Sequence, residues 1–162
     1  MTPAAVFTVG YERATPPSLL EVLRAAGVRR VVDVRALANS RRPGFAKRAL
    51  SAALEEAGIG YAHLPALGTP PEGREAVRAG RPEEMKRVFA RRLAGTEAQA
   101  ALAALADDAR RESVCLLCLE ADPRNCHRTL VAEAVAERAG GGGLAVTHLH
   151  TGAHDADLPR PA

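Results

Sequence analysis

The chain has no tryptophan, and aromatic residues make up only 3% of its 162 positions. A broad base-stacking platform for single-stranded nucleic acid is therefore not expected. No apolar run approaches the roughly 18 residues that a membrane-spanning helix needs, and no membrane partner is expected. Met1 to Phe7 carries no basic segment ahead of a long apolar stretch, so no secretory leader is read there and the expected compartment is the cytoplasm. Cysteine is scarce and odd in number: Cys115, Cys118 and Cys126. In a cytoplasmic chain these are expected as reduced thiols rather than as a disulfide framework. Neither G-x-x-x-x-G-K-[ST] nor G-x-G-x-x-G occurs, so a standard nucleotide cradle is unsupported and no cofactor is expected.

What is present is the balance of an ordinary folded globule, with 47% hydrophobic and 25% charged residues. The net charge of +3 decides little, but its distribution is uneven. From Val34 to Leu54 the basic residues Arg35, Arg41, Arg42, Lys47 and Arg48 stand with no acid among them. Such a stretch attracts phosphates and other anions, or forms a plain solvated face.

Strand-like and helix-like segments alternate. Strands are expected at Ala5–Val9, Arg30–Arg35, Tyr61–Leu64, Val114–Leu119 and Leu144–Leu149. The first helix is capped by Thr15, begins with Pro16 and ends at Gly27. Further helices are expected at Phe45–Ala57, about Glu72–Ala79, Pro82–Ala94, Glu97–Arg111 and His127–Ala139. Gly140 to Gly143 reads as a flexible turn, and 151–162 as a fraying tail. The expectation is one α/β domain over residues 1–150, a three-layer fold with a mostly parallel five-stranded sheet and helices on both faces.

In such folds ligands bind outside the carboxyl ends of the strands. Those ends carry Tyr11 and Glu12; Asp33, Arg35, Asn39, Ser40 and Arg41; His63 and Gly68; Cys118, Glu120, Cys126, His127 and Arg128; and His148 and His150. The gathering of unusual polar residues on one rim is the main argument for a pocket there.

Cys118 to Arg128 is the most informative run. Cys126 would sit at a helix N-terminus, where amides and dipole favour a thiolate, and Arg128 adds positive charge. That suits a nucleophilic cysteine. Without a reactive thiol it suits an anion site. It suits equally a small buried cysteine with Arg128 pinning the loop through Glu120 or Asp122. Cys115 and Cys118 share a strand and point to opposite faces, which argues against a thioredoxin-type motif. A zinc site from Cys118, Cys126 and His127, completed by His63 or His148, lacks the usual paired spacing. A Cys118–Cys126 redox pair is a further option. Asp33 lies inside a Val-rich strand, where a charge needs a partner; Arg35 and Arg128 are the candidates. Tyr11, Ser40 and His63 are read as pocket-lining, with His63 and Glu120 available for acid–base work.

Taken together, these residues resemble the bacterial and archaeal family catalogued as domain of unknown function 488. The resemblance rests on Val9-Gly10-Tyr11-Glu12, Val32-Asp33-Val34-Arg35, Ser40-Arg41-Arg42-Pro43-Gly44-Phe45, His63-Leu64-Pro65 with Leu67-Gly68-Thr69-Pro70, and Leu117-Cys118 through Cys126-His127-Arg128. It runs from about Phe7 to His150, with Leu119 and Ala46 as minor departures. It implies a single α/β domain with these motifs on one rim. The Asp-Val-Arg strand is also similar to rhodanese-like domains, whose catalytic cysteine directly follows a strand; here Cys126 lies several residues later.

Two functions follow as expectations. The first is an anion- or phosphate-binding pocket, held by Arg35, Arg41 and Arg128, in an enzyme with Cys126, or else Cys118, as nucleophile and Glu120, His127 or His63 as acid and base. The second is a non-catalytic nucleotide- or nucleic-acid-binding module using the basic stretch with Tyr11 and Phe45.

Overall fold

The structure is a computed structural model that describes residues 5–139 and 144–151. The expected turn at Gly140–Gly143 lies outside the described residues. So does the expected tail, apart from Thr151, which is buried.

Among the described residues five strands and six α-helices follow one another, three of the helices in succession between β3 and β4: β1 (Val6–Gly10), α1 (Pro16–Ala25), β2 (Arg30–Asp33), α2 (Lys47–Glu56), β3 (Gly60–His63), α3 (Pro71–Arg78), α4 (Pro82–Leu93), α5 (Thr96–Arg111), β4 (Val114–Cys118), α6 (His127–Arg138) and β5 (Val146–His148). Short 3-10 turns occupy Pro65–Leu67 and Pro123–Asn125. The local signals act as their chemistry dictates. Thr15 and Ser18 satisfy each other's backbone amides at the start of α1. Gly27 and Gly58, both with positive φ, end α1 and α2. Several boundaries differ from expectation. β2 ends at Asp33 rather than Arg35, β4 ends at Cys118 rather than Leu119, and β5 covers only Val146–His148 of the expected Leu144–Leu149. α2 starts at Lys47 with Ala46 as its cap, so Phe45 stays in the preceding loop. That loop is held by the Lys47 amide donating to the Ala38 carbonyl at 2.9 Å.

All the strand pairs are parallel, in the order β3-β2-β4-β1-β5. The side-chain alternation of β4 divides the molecule into two cores. Val114, Leu116 and Cys118 face the layer of α3 to α6, packing with Met85, Phe89, Leu102, Leu105 and Val131. Cys115 and Leu117 face α1 and α2, packing with Leu19, Leu23, Leu50 and Leu54. The two thiols of Cys115 and Cys118 thus belong to opposite faces, as strand periodicity requires.

The connections fix where a crevice opens. From β2 the chain leaves through α2 on one face, and from its neighbour β4 it leaves through α6 on the other. Adjacent strands whose exits diverge leave a gap beyond their carboxyl ends.

Candidate functional site beyond β2 and β4

A cavity of about 270 Å³ occupies that gap. Arg35, Cys118, Glu120, Cys126 and His127 supply its rim-side wall, while Arg74, Val77 and Arg78 of α3 and Met85 of α4 close it from the helical layer. Leu37 and Leu119, the two large apolar side chains that stand exposed among the described residues, also line it.

At its depth lie two thiols and an imidazole. Cys118 ends β4, Cys126 caps α6, and His127 is the first residue of α6. The three side chains are 3–6% exposed, so a ligand meets them only through the cavity. His127 Nε2 lies 2.8 Å from the Val34 carbonyl oxygen, which accepts its proton. That contact turns Nδ1 toward the sulfurs, 3.8 Å from Cys118 Sγ and 3.9 Å from Cys126 Sγ. Phe89 packs edge-on against the ring.

The electrostatics divide the thiols. Burial pushes the Cys126 thiol up, but the contacts to Cys118 and His127 and the charges of His127 and Arg128 outweigh it, leaving Cys126 well below the ordinary thiol value. His127 moves the other way: burial lowers it, yet the thiolate and the Val34 carbonyl raise it overall. Cys118 is held well above the ordinary value, first by its hydrogen bond to Cys126 and then by burial. These shifts favour the thiolate at Cys126, the S–H at Cys118 and the imidazolium at His127. Burial, followed by the negative charge of Cys126, raises Glu120 to about 7. The cavity wall therefore holds a carboxyl able to give and take a proton near neutrality. Cys115, on the far face, is raised above the ordinary value by burial.

Four of the five guanidinium N–H groups of Arg35 are engaged. Its Nε and Nη2 grip Asp33 at 2.9 and 2.7 Å, and Nη1 donates to Phe45 O at 2.8 Å and Tyr11 Oη at 3.2 Å. Tyr61 adds a 2.6 Å hydrogen bond to Asp33. Of the two partners expected for Asp33, Arg35 is the one that meets it. Tyr11 and Phe45 stack on each other with centroids 4.7 Å apart, and Arg42 lies over both rings. The same Arg42 donates to the carbonyls of Tyr11, Glu12 and Ala14. Arg128 is wholly buried and pins the loop through the carbonyls of Glu120 and Ala121, with Nε left unpaired. Asp122 instead pairs with Arg124. Gly10 lets this loop approach: a Cβ there would stand 1.7 Å from the Glu120 carbonyl oxygen.

Of the residues singled out from the sequence, Tyr11, Arg35, Cys118, Glu120, Cys126 and His127 line the cavity, and Asp33 stands directly behind Arg35. Arg41 is exposed and does not line it. Ser40 accepts from the Arg42 amide, and His63 Nε2 lies 2.7 Å from the Arg35 carbonyl oxygen. His148 meets Thr8 at the β1–β5 edge of the sheet. Arg74 and Arg78 bring positive charge to the cavity and were not singled out; one helical turn apart, they share a face of α3. Cys118, Cys126 and His127 offer three ligand atoms within 4.8 Å of one another, a set that could hold a soft divalent ion. Neither His63 nor His148 joins that set.

A family model described as "Domain of unknown function DUF488" matches residues 16–135. No curated protein and no solved structure matches the chain.

Proposed function

For this chain, a member of the DUF488 family, we propose an enzyme that transfers a group from a compact anionic substrate through a thiolate at Cys126. The observation that carries it is the cluster of Cys118, Cys126 and His127 on a cavity wall, with His127 oriented by the Val34 carbonyl. A nucleophile, a base-derived cation and a third group that orients it are what covalent catalysis needs.

Each residue then has a role. Arg74 and Arg78 hold a phosphate or other anionic group of the substrate. Cys126 Sγ attacks the electrophilic centre, and the bond to the leaving group breaks. Glu120, protonated near neutrality, donates its proton to the leaving group. The Glu120 carboxylate next takes a proton from a water molecule, which attacks the substrate–sulfur bond and restores the thiolate and the second product. His127 and Cys118 stabilise the thiolate between turnovers. Arg35 and Arg128 are positioning residues, since their guanidinium groups are committed to Asp33 and to the loop carbonyls.

The nucleic-acid reading keeps the exposed basic residues Arg41, Lys47 and Arg48 but loses its aromatic support. Tyr11 and Phe45 are buried against each other, so neither presents a free face to a base.

A panel of small phosphate esters and acyl esters, screened for turnover against the wild-type chain and Cys126→Ser, tests the proposal. Any hydrolysis found should fall by about 10³-fold or more in Cys126→Ser. Turnover that survives that substitution would remove Cys126 from the mechanism.

A further inference from the structure

A nucleophile needs one thiol, and this cavity holds two. We infer that Cys118 is the resolving partner of Cys126, so that a hydroperoxide reaching the cavity converts the pair into a reversible disulfide that switches the site off. The inference rests on the reading of Cys126 as the reactive thiolate and adds a means of regulating it.

Three features of the geometry support it. The two Sγ atoms and His127 Nδ1 lie within 4.8 Å of one another, so a bond of about 2.05 Å needs the sulfurs to approach by less than about 3 Å. The seven intervening residues include a single 3-10 turn and no strand or α-helix, so the loop between the end of β4 and the start of α6 can adjust as the link forms. Both thiols line the same cavity, giving a small oxidant one route to both. Cys115 is on the opposite face of β4 and cannot compete.

The chemistry balances without a cofactor. The Cys126 thiolate attacks one oxygen of the hydroperoxide; an S–O bond forms, the O–O bond breaks, and the departing oxygen takes a proton from Glu120. Cys126 is now a sulfenic acid. Cys118 sulfur then attacks Cys126 sulfur; the S–S bond forms, the S–O bond breaks, and hydroxide leaves with the Cys118 proton as water. Two thiols have been oxidised by two electrons and the peroxide reduced to an alcohol, or to water, plus water. A small dithiol restores the pair by exchange.

The test treats the reduced full-length chain with one equivalent of hydrogen peroxide in the presence of a metal chelator. Intact mass should fall by about 2 Da, with Cys118 and Cys126 linked in the peptide map, and dithiothreitol should reverse the change. In Cys118→Ser the mass should instead rise by about 16 Da or its multiples at Cys126. Cys126→Ser should leave Cys118 as a thiol, and Cys115→Ala should behave as wild type. A wild-type chain that accumulates sulfenic or sulfinic acid without the link would overturn the inference while leaving Cys126 as the nucleophile. A Cys126 inert to both peroxide and iodoacetamide would overturn both.

Discussion

Asp33 and Arg35 are 0% and 5% exposed and hold each other by two parallel hydrogen bonds, with Tyr61, Tyr11 and the Phe45 carbonyl as further partners. Removing one member leaves the other charged and buried without its partner. Asp33→Ala should therefore cost about 3–5 kcal/mol of unfolding free energy in a denaturant titration. Tyr61→Phe, which removes one hydrogen bond to that carboxylate, should cost about 1.5–3 kcal/mol. Glu120 gives a pH signature. Its folded pKa of about 7 lies above its ordinary value of 4.5, so the folded state binds the proton more tightly. The stability from this group is full below pH 4.5 and is lost as pH rises through about 7. Glu120→Gln, which cannot ionise, should gain on wild type between those limits. Thermal melts at pH 4.5 and pH 8 check this; equal differences at both would contradict it.

Among the elements, the loop from Leu119 to Asn125 carries the site, and Gly10 sets how closely it lies to the sheet. A methyl group at Gly10 would overlap the Glu120 carbonyl, a backbone atom that cannot swing aside. Gly10→Ala should therefore displace the loop, and Cys126 should lose its enhanced alkylation rate at neutral pH even where the protein still folds. Much of this level was legible in the sequence. Val-rich runs marked β2 and β4, Thr15-Pro16 and Gly27 bounded α1, and the strand ends named the residues that meet at the cavity. The start of α2 was not legible, because the hydrogen bonds from Lys47 to Ala38 and from Arg35 to Phe45 keep Phe45 out of the helix. Neither contact has a local sequence signal. Arg128 carried the right position but an unexpected partner: it binds loop carbonyls, which the identity of Glu120 and Asp122 could not reveal.

On the scale of the whole molecule, the parallel sheet with diverging exits at β2 and β4 brings segments distant in sequence to one crevice. That is why Arg74 and Arg78 escaped notice: only the folding of α3 over the rim places them beside Cys126 and His127. Both lie on α3 away from the buried residues Gly73 and Ala76, and Arg74 donates one hydrogen bond to the Thr69 carbonyl at 2.9 Å, so their removal should cost only about 1 kcal/mol of stability. Arg74→Ala with Arg78→Ala should weaken the binding of inorganic phosphate, read as a loss of phosphate-dependent thermal stabilisation, with the ligand-free melting temperature within a few degrees of wild type. Undiminished phosphate stabilisation would place the anion elsewhere. No helix among the described residues is long and apolar enough to cross a membrane.

The central claim is that the fold makes one of three buried cysteines a thiolate. Its most direct test is the pH profile of alkylation at each cysteine of the native chain, read by peptide mass mapping. Cys126 should react fastest, with an apparent pKa well below the ~8.5 of a free thiol, and His127→Ala should move that pKa upward. Cys115 should stay inert until the protein unfolds. If all three cysteines are inert in the folded chain, or if Cys118 reacts ahead of Cys126, the thiols are not arranged as described and the account fails.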